Sequence, residues 1–317
     1  MSDVDINENN ELEEKNEEVV SEKPYDVVIE DARKELHHKF VVSRRISNIL
    51  MFVVVAAICG VMFMVISNNK VLNIVGYSVG GALIVGMILY YVLTRSRLPN
   101  KIKEYVPFVA RTLNDQIFTR QGFASIESNP EEKLALDDLI GDGVYAEANG
   151  INSRNVVRGT YLGHHFLYAE AALTRPSSRK QQVPPLFVGR YISMPNQMKF
   201  DGHFVFVFKN PTQPNDLPNA VETLTVLEEK EDFVVYGPAN LNYHDVIDNK
   251  IISDLKRLQI EKHLLNVNVV FWGGHTAVYL SYDDAILAVP FEKPFDREAF
   301  ERSIDDLMIC FNAISEE

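Results

Sequence analysis

Three histidines in the second half of the chain have the side chains best suited to acid–base or metal chemistry. His203, His244 and His275 lie in separate segments, and a carboxylate follows one of them directly, at Asp245. An imidazole beside a carboxylate can act as a general base or bind a divalent metal ion. Their spacing matches no known catalytic or metal-binding motif, so either chemistry requires that the fold bring them together.

Other motifs for chemistry are missing from the sequence. It contains no Walker loop and no HExxH pair. The two cysteines, Cys59 and Cys310, are far apart, which excludes a cysteine-based metal site and fits a reducing compartment. We therefore expect no cofactor and no metal, and a non-catalytic binding or scaffold module. The alternatives are a membrane-bound enzyme with an unrecognised His/Asp site, and an oligomeric channel or sensor.

The charge of the chain is concentrated at its N-terminus. The 317 residues carry 31 Lys and Arg against 44 Asp and Glu, a net charge of -13. Residues 1–35 contain 13 acidic and 4 basic residues, and therefore hold -9 of that charge. A nucleic-acid binder needs clustered basic residues for phosphate contacts. The composition thus argues against nucleic acid as a partner.

Two uncharged stretches predict a transmembrane hairpin. Residues 46–66 and 71–93 contain 21 and 23 residues without a charge, separated by only a few residues. A helix of about 20 apolar residues crosses the hydrocarbon core of a bilayer. We expect both stretches to be transmembrane helices, with the lipid bilayer as the first partner of the chain.

Basic residues flank this hairpin on both sides. Lys39, Arg44 and Arg45 precede the first stretch, Arg95 and Arg97 follow the second, and a single lysine lies between them. By the positive-inside rule, both termini are cytoplasmic and the protein is a two-span protein of the inner membrane. These five side chains are expected at the membrane surface.

Small residues in the second stretch indicate close helix packing. Gly76, Gly80 and Gly81 lie near one another on that helix, and the first pair has the GxxxG spacing that lets helix backbones approach. The first helix of the hairpin is the nearest partner. A homo-oligomer contact through the same glycines is the alternative.

The segments before the hairpin differ in character. Residues 1–24 are acidic and poor in apolar side chains, which predicts a disordered tail. Residues 25–45 are amphipathic and increasingly basic, which predicts a juxtamembrane helix on anionic headgroups. The tail could serve solubility or bind a partner.

Residues 99–317 are predicted to form a cytoplasmic α+β domain. Short strands with alternating side chains lie between helical segments and are joined by hairpin-length turns. This order favours a mainly antiparallel sheet with flanking helices. Its last helix has Asp296 as a candidate N-cap. The domain surface is expected to bind a membrane or cytoplasmic protein.

Four segments suggest a family. They are GTYLGHHFLYAEAAL at residues 159–173, LFVGRYI at 186–192, AVYL at 277–280 and AVPF at 288–291. Together with the hairpin, this pattern resembles bacterial membrane proteins that carry a domain of unknown function, the family with serial number 3137. The chain departs from it in its long proline-containing loops. The resemblance implies architecture and location, and it offers no activity or catalytic residue to transfer.

Overall fold

The computed structural model describes residues 23–66, 70–95, 97–140, 144–145, 147–175, 185–197, 200–208, 224–231, 233–245, 247–258, 264–282 and 291–315. The predicted acidic tail lies almost entirely outside these residues. The helices are α1 (Tyr25–Ile66), α2 (Lys70–Arg95), α3 (Arg97–Phe118), α4 (Leu136–Ile140), α5 (Asn249–Leu255) and α6 (Arg297–Ser315). The strands are β1 (Phe123–Asn129), β2 (Gly150–Tyr161), β3 (His164–Thr174), β4 (Phe187–Pro195), β5 (His203–Phe208), β6 (Thr225–Glu229), β7 (Phe233–Gly237), β8 (Leu264–Trp272) and β9 (His275–Tyr282).

The strands form one antiparallel sheet in the order β1-β2-β3-β4-β9-β8-β5-β7-β6. Hairpin turns join β2 to β3 and β8 to β9, while β5 pairs with β8 only after a long excursion of the chain. The two edge strands, β1 and β6, each carry a register shift. Such irregularities discourage pairing with another chain. The prediction of a mixed fold with a large antiparallel sheet is confirmed.

Each face of the sheet has its own apolar layer. The face that carries Tyr168, Ile192 and Val278 is covered by α1, α3, α5 and α6, and we call it the helix face. The opposite face carries Ala169 and Tyr279 and packs against α4, Val144, Tyr145 and Ala148; we call it the loop face. Successive strand residues alternate between the two layers because side chains in a strand point to opposite sides.

Helix α6 forms as its sequence pattern predicts. The Asp296 carboxylate accepts a hydrogen bond from the Ala299 backbone N–H at 3.0 Å and caps the first turn. Apolar residues at helical spacing then turn one stripe to the helix face, where Phe300, Leu307 and Phe311 are buried. The C-terminal helix is therefore part of the main core.

Helix α1 runs without interruption through two different environments. It has 42 residues and is about 63 Å long at 1.5 Å per residue. In its first half, Ile29 and Leu36 are buried in the core of the helix face. In its second half, large apolar side chains such as Phe52 are exposed. The amphipathic face that we expected on lipid headgroups is instead turned toward the protein, because the core supplies apolar partners for it.

One helix within the described residues is long and apolar enough to cross a bilayer. It is the stretch Tyr25–Met62 of α1, near the N-terminus, and none of its most apolar part is buried. The apolar part of α2, Ile74–Ile88, is shorter.

Candidate functional site

Two of the three predicted histidines meet on either side of a tryptophan. Trp272 ends β8, and it is directly opposite His203 of β5 and His275 of β9 in the sheet register. The indole and His275 rings are stacked with centroids 5.5 Å apart, and the His203 ring lies 6.1 Å away at a tilt of 31°. All three side chains belong to the loop face. They form an imidazole–indole–imidazole row, which we call the His–Trp–His row.

His244 lies on the other side of the sheet. It follows Tyr243, which packs edge-on against Phe206 in the helix-face layer. Its Nδ1 atom lies 2.9 Å from Asn249 Oδ1, and its Nε2 atom lies 3.9 Å from Glu228 Oε2. The structure therefore does not bring His244 to the His–Trp–His row.

These positions determine what the histidines can do chemically. Burial lowers the pKa of His203, so its imidazole is neutral at neutral pH. The two histidines of the row are separated by the indole, so they cannot share one ion. Within the described residues, no group of three His, Cys, Asp or Glu side chains is arranged to hold a metal.

A buried arginine on the helix face is the most unusual polar feature of the core. Arg190 of β4 is 1 % exposed. Its Nη1 donates a hydrogen bond to the Ser303 backbone carbonyl at 2.7 Å, and its Nη2 donates to Ser303 Oγ at 3.1 Å. The guanidinium Cζ lies 5.4 Å from the centroid of the Tyr282 ring. Tyr168 also lies near this charge. We call Arg190, Tyr168, Tyr282 and Ser303 the arginine cluster.

The protonation states around Arg190 are set by burial. Burial raises the pKa of the Tyr168 and Tyr282 phenols far above the ordinary value, and it also raises the pKa of the nearby Cys310 thiol. At neutral pH these three groups therefore keep their protons. A protonated thiol or phenol is neither a strong nucleophile nor a base. The arginine cluster is consequently suited to joining β4 to α6 rather than to reacting.

A second buried polar network adjoins this cluster at the β2 bulge. Asn155 adopts a φ of 55°, and its Nδ2 donates to Glu170 Oε1 at 2.9 Å. The second carboxylate oxygen of Glu170 accepts from Arg154 Nε at 2.8 Å, and Asn114 of α3 donates to Asn155 Oδ1 at 2.6 Å. Both oxygens of Glu170 are thus occupied. The bulge ties β2 and β3 to α3.

The first half of α1 is joined to the start of α6 by polar and aromatic contacts. Arg297 Nη1 lies 3.3 Å from Asp26 Oδ2, and Tyr25 Oη donates to Glu301 Oε1 at 3.3 Å. The Tyr25 ring also packs against Phe295 and Phe300. The helix that leads to the apolar stretch is therefore attached directly to the C-terminal helix.

An ion pair one turn further along α1 completes this attachment. Arg33 donates two hydrogen bonds of 2.7 Å to the Glu30 carboxylate, and a third of 3.2 Å to the Phe291 carbonyl. The Phe295 backbone N–H donates to Glu30 Oε2 at 3.4 Å. These bonds, first of all those from Arg33, lower the pKa of Glu30 to about 2. The carboxylate is therefore ionised throughout the physiological range.

The predicted helix-packing glycines have different surroundings. Gly80 lies against Val61 of α1, so that a Cβ atom there would be 3.3 Å from Val61 Cγ2. Gly76 is buried, whereas the Cβ position of Gly81 faces open space. Gly80 is thus the position where α2 approaches α1 closely.

The predicted membrane-surface residues are only partly described. Arg44 and Arg45 are exposed, and Lys39 is half-buried and forms an ion pair with Glu35. The side chains of Arg95 and Arg97 lie outside the described residues.

The arginine cluster was not predicted, although the sequence contains a sign of it. Arg190 lies within the otherwise apolar run LFVGRYISM, and Glu170 within FLYAEAAL. A charged residue inside a strand that is buried on both faces must find a polar partner.

Comparisons of the chain with protein-family models, curated proteins and solved structures found no match.

Proposed function

We propose that this protein is a membrane-anchored binding module. Its two-helix hairpin, residues 46–66 and 71–93, crosses the inner membrane, and the α+β domain lies on the cytoplasmic side together with both termini. The domain presents its surface to a membrane or cytoplasmic protein. Kinship with the bacterial family named above is part of this proposal.

One observation carries the proposal. Helix α1 continues, unbroken, from the domain core into an apolar stretch, and none of the most apolar part of that stretch is buried by the residues that the structure describes. A soluble protein rarely exposes a contiguous apolar surface of this kind. The close approach of Gly80 to Val61 supports α2 as the second helix of the hairpin.

The chemistry of the domain favours binding over catalysis. The arginine cluster holds protonated phenols and a guanidinium that is already bonded to α6, and both oxygens of Glu170 are engaged. The His–Trp–His row and His244 lie on different faces of the sheet. The polar groups of the described core thus serve to join its elements.

Cysteine labelling in intact cells tests the anchoring. In a Cys59→Ala background, Asn68→Cys between the two apolar stretches should react with a membrane-impermeant maleimide, whereas Asn312→Cys on α6 should react only after the cells are opened. Full-length chain should also stay in the membrane pellet at alkaline pH. Release into the alkaline supernatant, or labelling of both positions in intact cells, would contradict the proposal.

Crosslinking in native membranes tests the binding role. The full chain and a version without residues 1–23 should be compared, because the acidic tail is predicted to be disordered and could itself bind a partner. A defined protein crosslinked to both versions indicates that the domain binds it. Loss of every crosslink in the shorter version would assign binding to the tail instead.

A further inference from the structure

Three polar atoms of the arginine cluster have no hydrogen-bond partner among the described residues. They are Tyr168 Oη, Arg190 Nε and Tyr282 Oη. Each belongs to a residue that is at most 3 % exposed. A buried polar atom without a partner destabilises the folded chain, because it has given up its hydrogen bonds to water. Three such atoms in one cluster point to a small ligand that is held among them.

The sheet register places the two tyrosines on either side of Arg190. Tyr168 of β3 pairs with Ile192 of β4, so Tyr168 and Arg190 are diagonal neighbours on the helix face. On the other side, Arg190 pairs with Leu280 of β9, and Tyr282 lies two residues further along that strand. Diagonal neighbours are about 7–8 Å apart, within reach of aromatic and long side chains. The distance of 5.4 Å from Arg190 Cζ to the Tyr282 ring centroid is a direct contact of this kind.

The neighbouring polar groups are already engaged. Nη1 and Nη2 of Arg190 donate to Ser303, which leaves Nε. Glu170 is directly opposite Arg190 on β3, and its two carboxylate oxygens accept hydrogen bonds from Asn155 and Arg154. The cluster therefore still needs a ligand that accepts a hydrogen bond from Nε and bonds to the phenols.

We propose that Arg190, Tyr168 and Tyr282 bind one internal water molecule between β3, β4 and β9. Its oxygen accepts a hydrogen bond from Arg190 Nε and one from a phenol, and it donates one to the other phenol oxygen. Buried waters make about three hydrogen bonds to groups that otherwise lack a partner. The carboxylates of Glu170 and Asp306 lie near the guanidinium and offset its charge, so a neutral ligand fits better than a halide ion.

A shared water makes the two tyrosines depend on each other, although β4 separates their strands. Removal of one hydroxyl leaves the water with fewer hydrogen bonds, so removal of the second hydroxyl costs less. Two phenols that share no ligand would instead act independently. A buried phenol with no partner at all would gain stability when phenylalanine replaces it, because an unpaired hydroxyl is then removed.

Chemical denaturation of the full chain in detergent tests the proposal through a double-mutant cycle. Tyr168→Phe and Tyr282→Phe should each lower the folding equilibrium constant about fivefold, the loss of one neutral hydrogen bond. The double variant should lower it about tenfold, less than the product of about twenty-fivefold expected for independent sites. Unchanged or higher stability of either single variant, or loss of the full product in the double variant, would overturn the shared water.

Tyr236→Phe is the matched control, because Tyr236 is a buried tyrosine on the opposite, loop face of the sheet. Combined with Tyr282→Phe, it should give the product of the two single effects. Coupling as strong as that between Tyr168 and Tyr282 would overturn the assignment of the coupling to a ligand of the arginine cluster.

Replacement of chloride tests the identity of the ligand. The natural chain should be equally stable in sodium chloride and in sodium gluconate at the same ionic strength, because a bound water does not depend on the anion. Stabilisation by chloride that is present in the natural chain and lost in Tyr168→Phe would overturn water and assign a halide ion to the site.

Discussion

The guanidinium of Arg190 donates a 2.7 Å hydrogen bond to the backbone carbonyl of Ser303, which lies 113 residues later in the chain. This bond joins the middle of the sheet to α6. The first turn of α6 in turn contacts α1 through Arg297 and Asp26. These contacts connect strand β4 to α6, and α6 to α1, the helix that leads to the apolar stretch.

Arg190→Ala should destabilise the protein strongly. The change leaves the Ser303 carbonyl without its donor, and it removes the cation that faces Tyr168, Tyr282 and Glu170. Loss of one member of a buried charged network costs about 3–5 kcal/mol of unfolding free energy. Chemical denaturation of the full chain in detergent measures it. Arg257→Ala, whose side chain is 71 % exposed, is the control and should change the unfolding free energy by less than about 0.5 kcal/mol.

The arginine cluster also illustrates what local sequence patterns leave out. The alternating side chains of β5, β8 and β9 and the apolar stripe of α6 can be predicted from the sequence, because both patterns depend on neighbours within a few residues. Strand β1 cannot, because Phe123–Asn129 is largely exposed and lacks apolar alternation. The pairing of Arg190 with Ser303 depends on how distant elements pack, and no local pattern encodes it.

Gly80→Leu should weaken the contact between α1 and α2. A Cβ atom at Gly80 already meets Val61 at 3.3 Å, so a larger side chain forces the helices apart. Overpacking of this kind costs about 1–3 kcal/mol. The thermal midpoint of the full chain in detergent should fall. Gly81→Leu adds the same atoms toward open space and should leave the midpoint unchanged, so equal effects would contradict the contact.

Removal of the hairpin should leave a soluble domain only if the start of α1 is kept. Ile29 and Leu36 are 0 % and 5 % exposed and belong to the main core. A chain in which residues 41–100 are replaced by a short Gly/Ser linker retains them, and a short linker suffices because α1 and α3 pack against each other. This chain should be soluble and unfold cooperatively.

Residues 99–317 alone should behave differently. Without α1 they expose the apolar surface that Ile29 and Leu36 cover, which costs about 1.5–3 kcal/mol for each side chain. Thermal unfolding monitored by circular dichroism compares the two chains. Equal stability would show that the start of α1 is dispensable. The sequence alone placed the domain boundary after the hairpin, because the apolar stretch hides the continuity of α1.

Acidification should quench the fluorescence of Trp272. It is the only tryptophan of the chain, and both imidazoles of the His–Trp–His row lie within 6.1 Å of its ring. A protonated imidazole stacked on indole is a quencher. Because burial holds the pKa of His203 below the ordinary value of 6.5, emission should fall at a pH below 6.5, and His203→Phe should abolish the change.

The lowered pKa of His203 should also make the unfolding free energy depend on pH. Burial holds the pKa of His203 below 6.5, so below that pH the unfolded chain binds more protons than the folded one. Stability from this group is therefore present above pH 6.5 and decreases as the pH falls. His203→Phe should flatten that part of the profile, and an unchanged profile would contradict the effect of burial on His203.

Glu30 should make the attachment of α1 sensitive to acid at lower pH. Its pKa is about 2 in the folded chain, chiefly because of the hydrogen bonds from Arg33, against an ordinary value of 4.5. Above pH 4.5 the carboxylate is ionised in both states, and its bonds contribute fully. As the pH falls from 4.5 toward 2, the unfolded chain takes up a proton first, so the contribution is lost.

Glu30→Gln should therefore reduce the unfolding free energy at pH 7 by about 1–2 kcal/mol, and the difference from the natural chain should vanish near pH 2. Asp31→Asn removes the same charge from the next residue, whose side chain is 55 % exposed, and should reduce the unfolding free energy at pH 7 by less than Glu30→Gln does. A constant difference between the natural chain and Glu30→Gln from pH 7 to pH 2 would contradict the ion pair with Arg33.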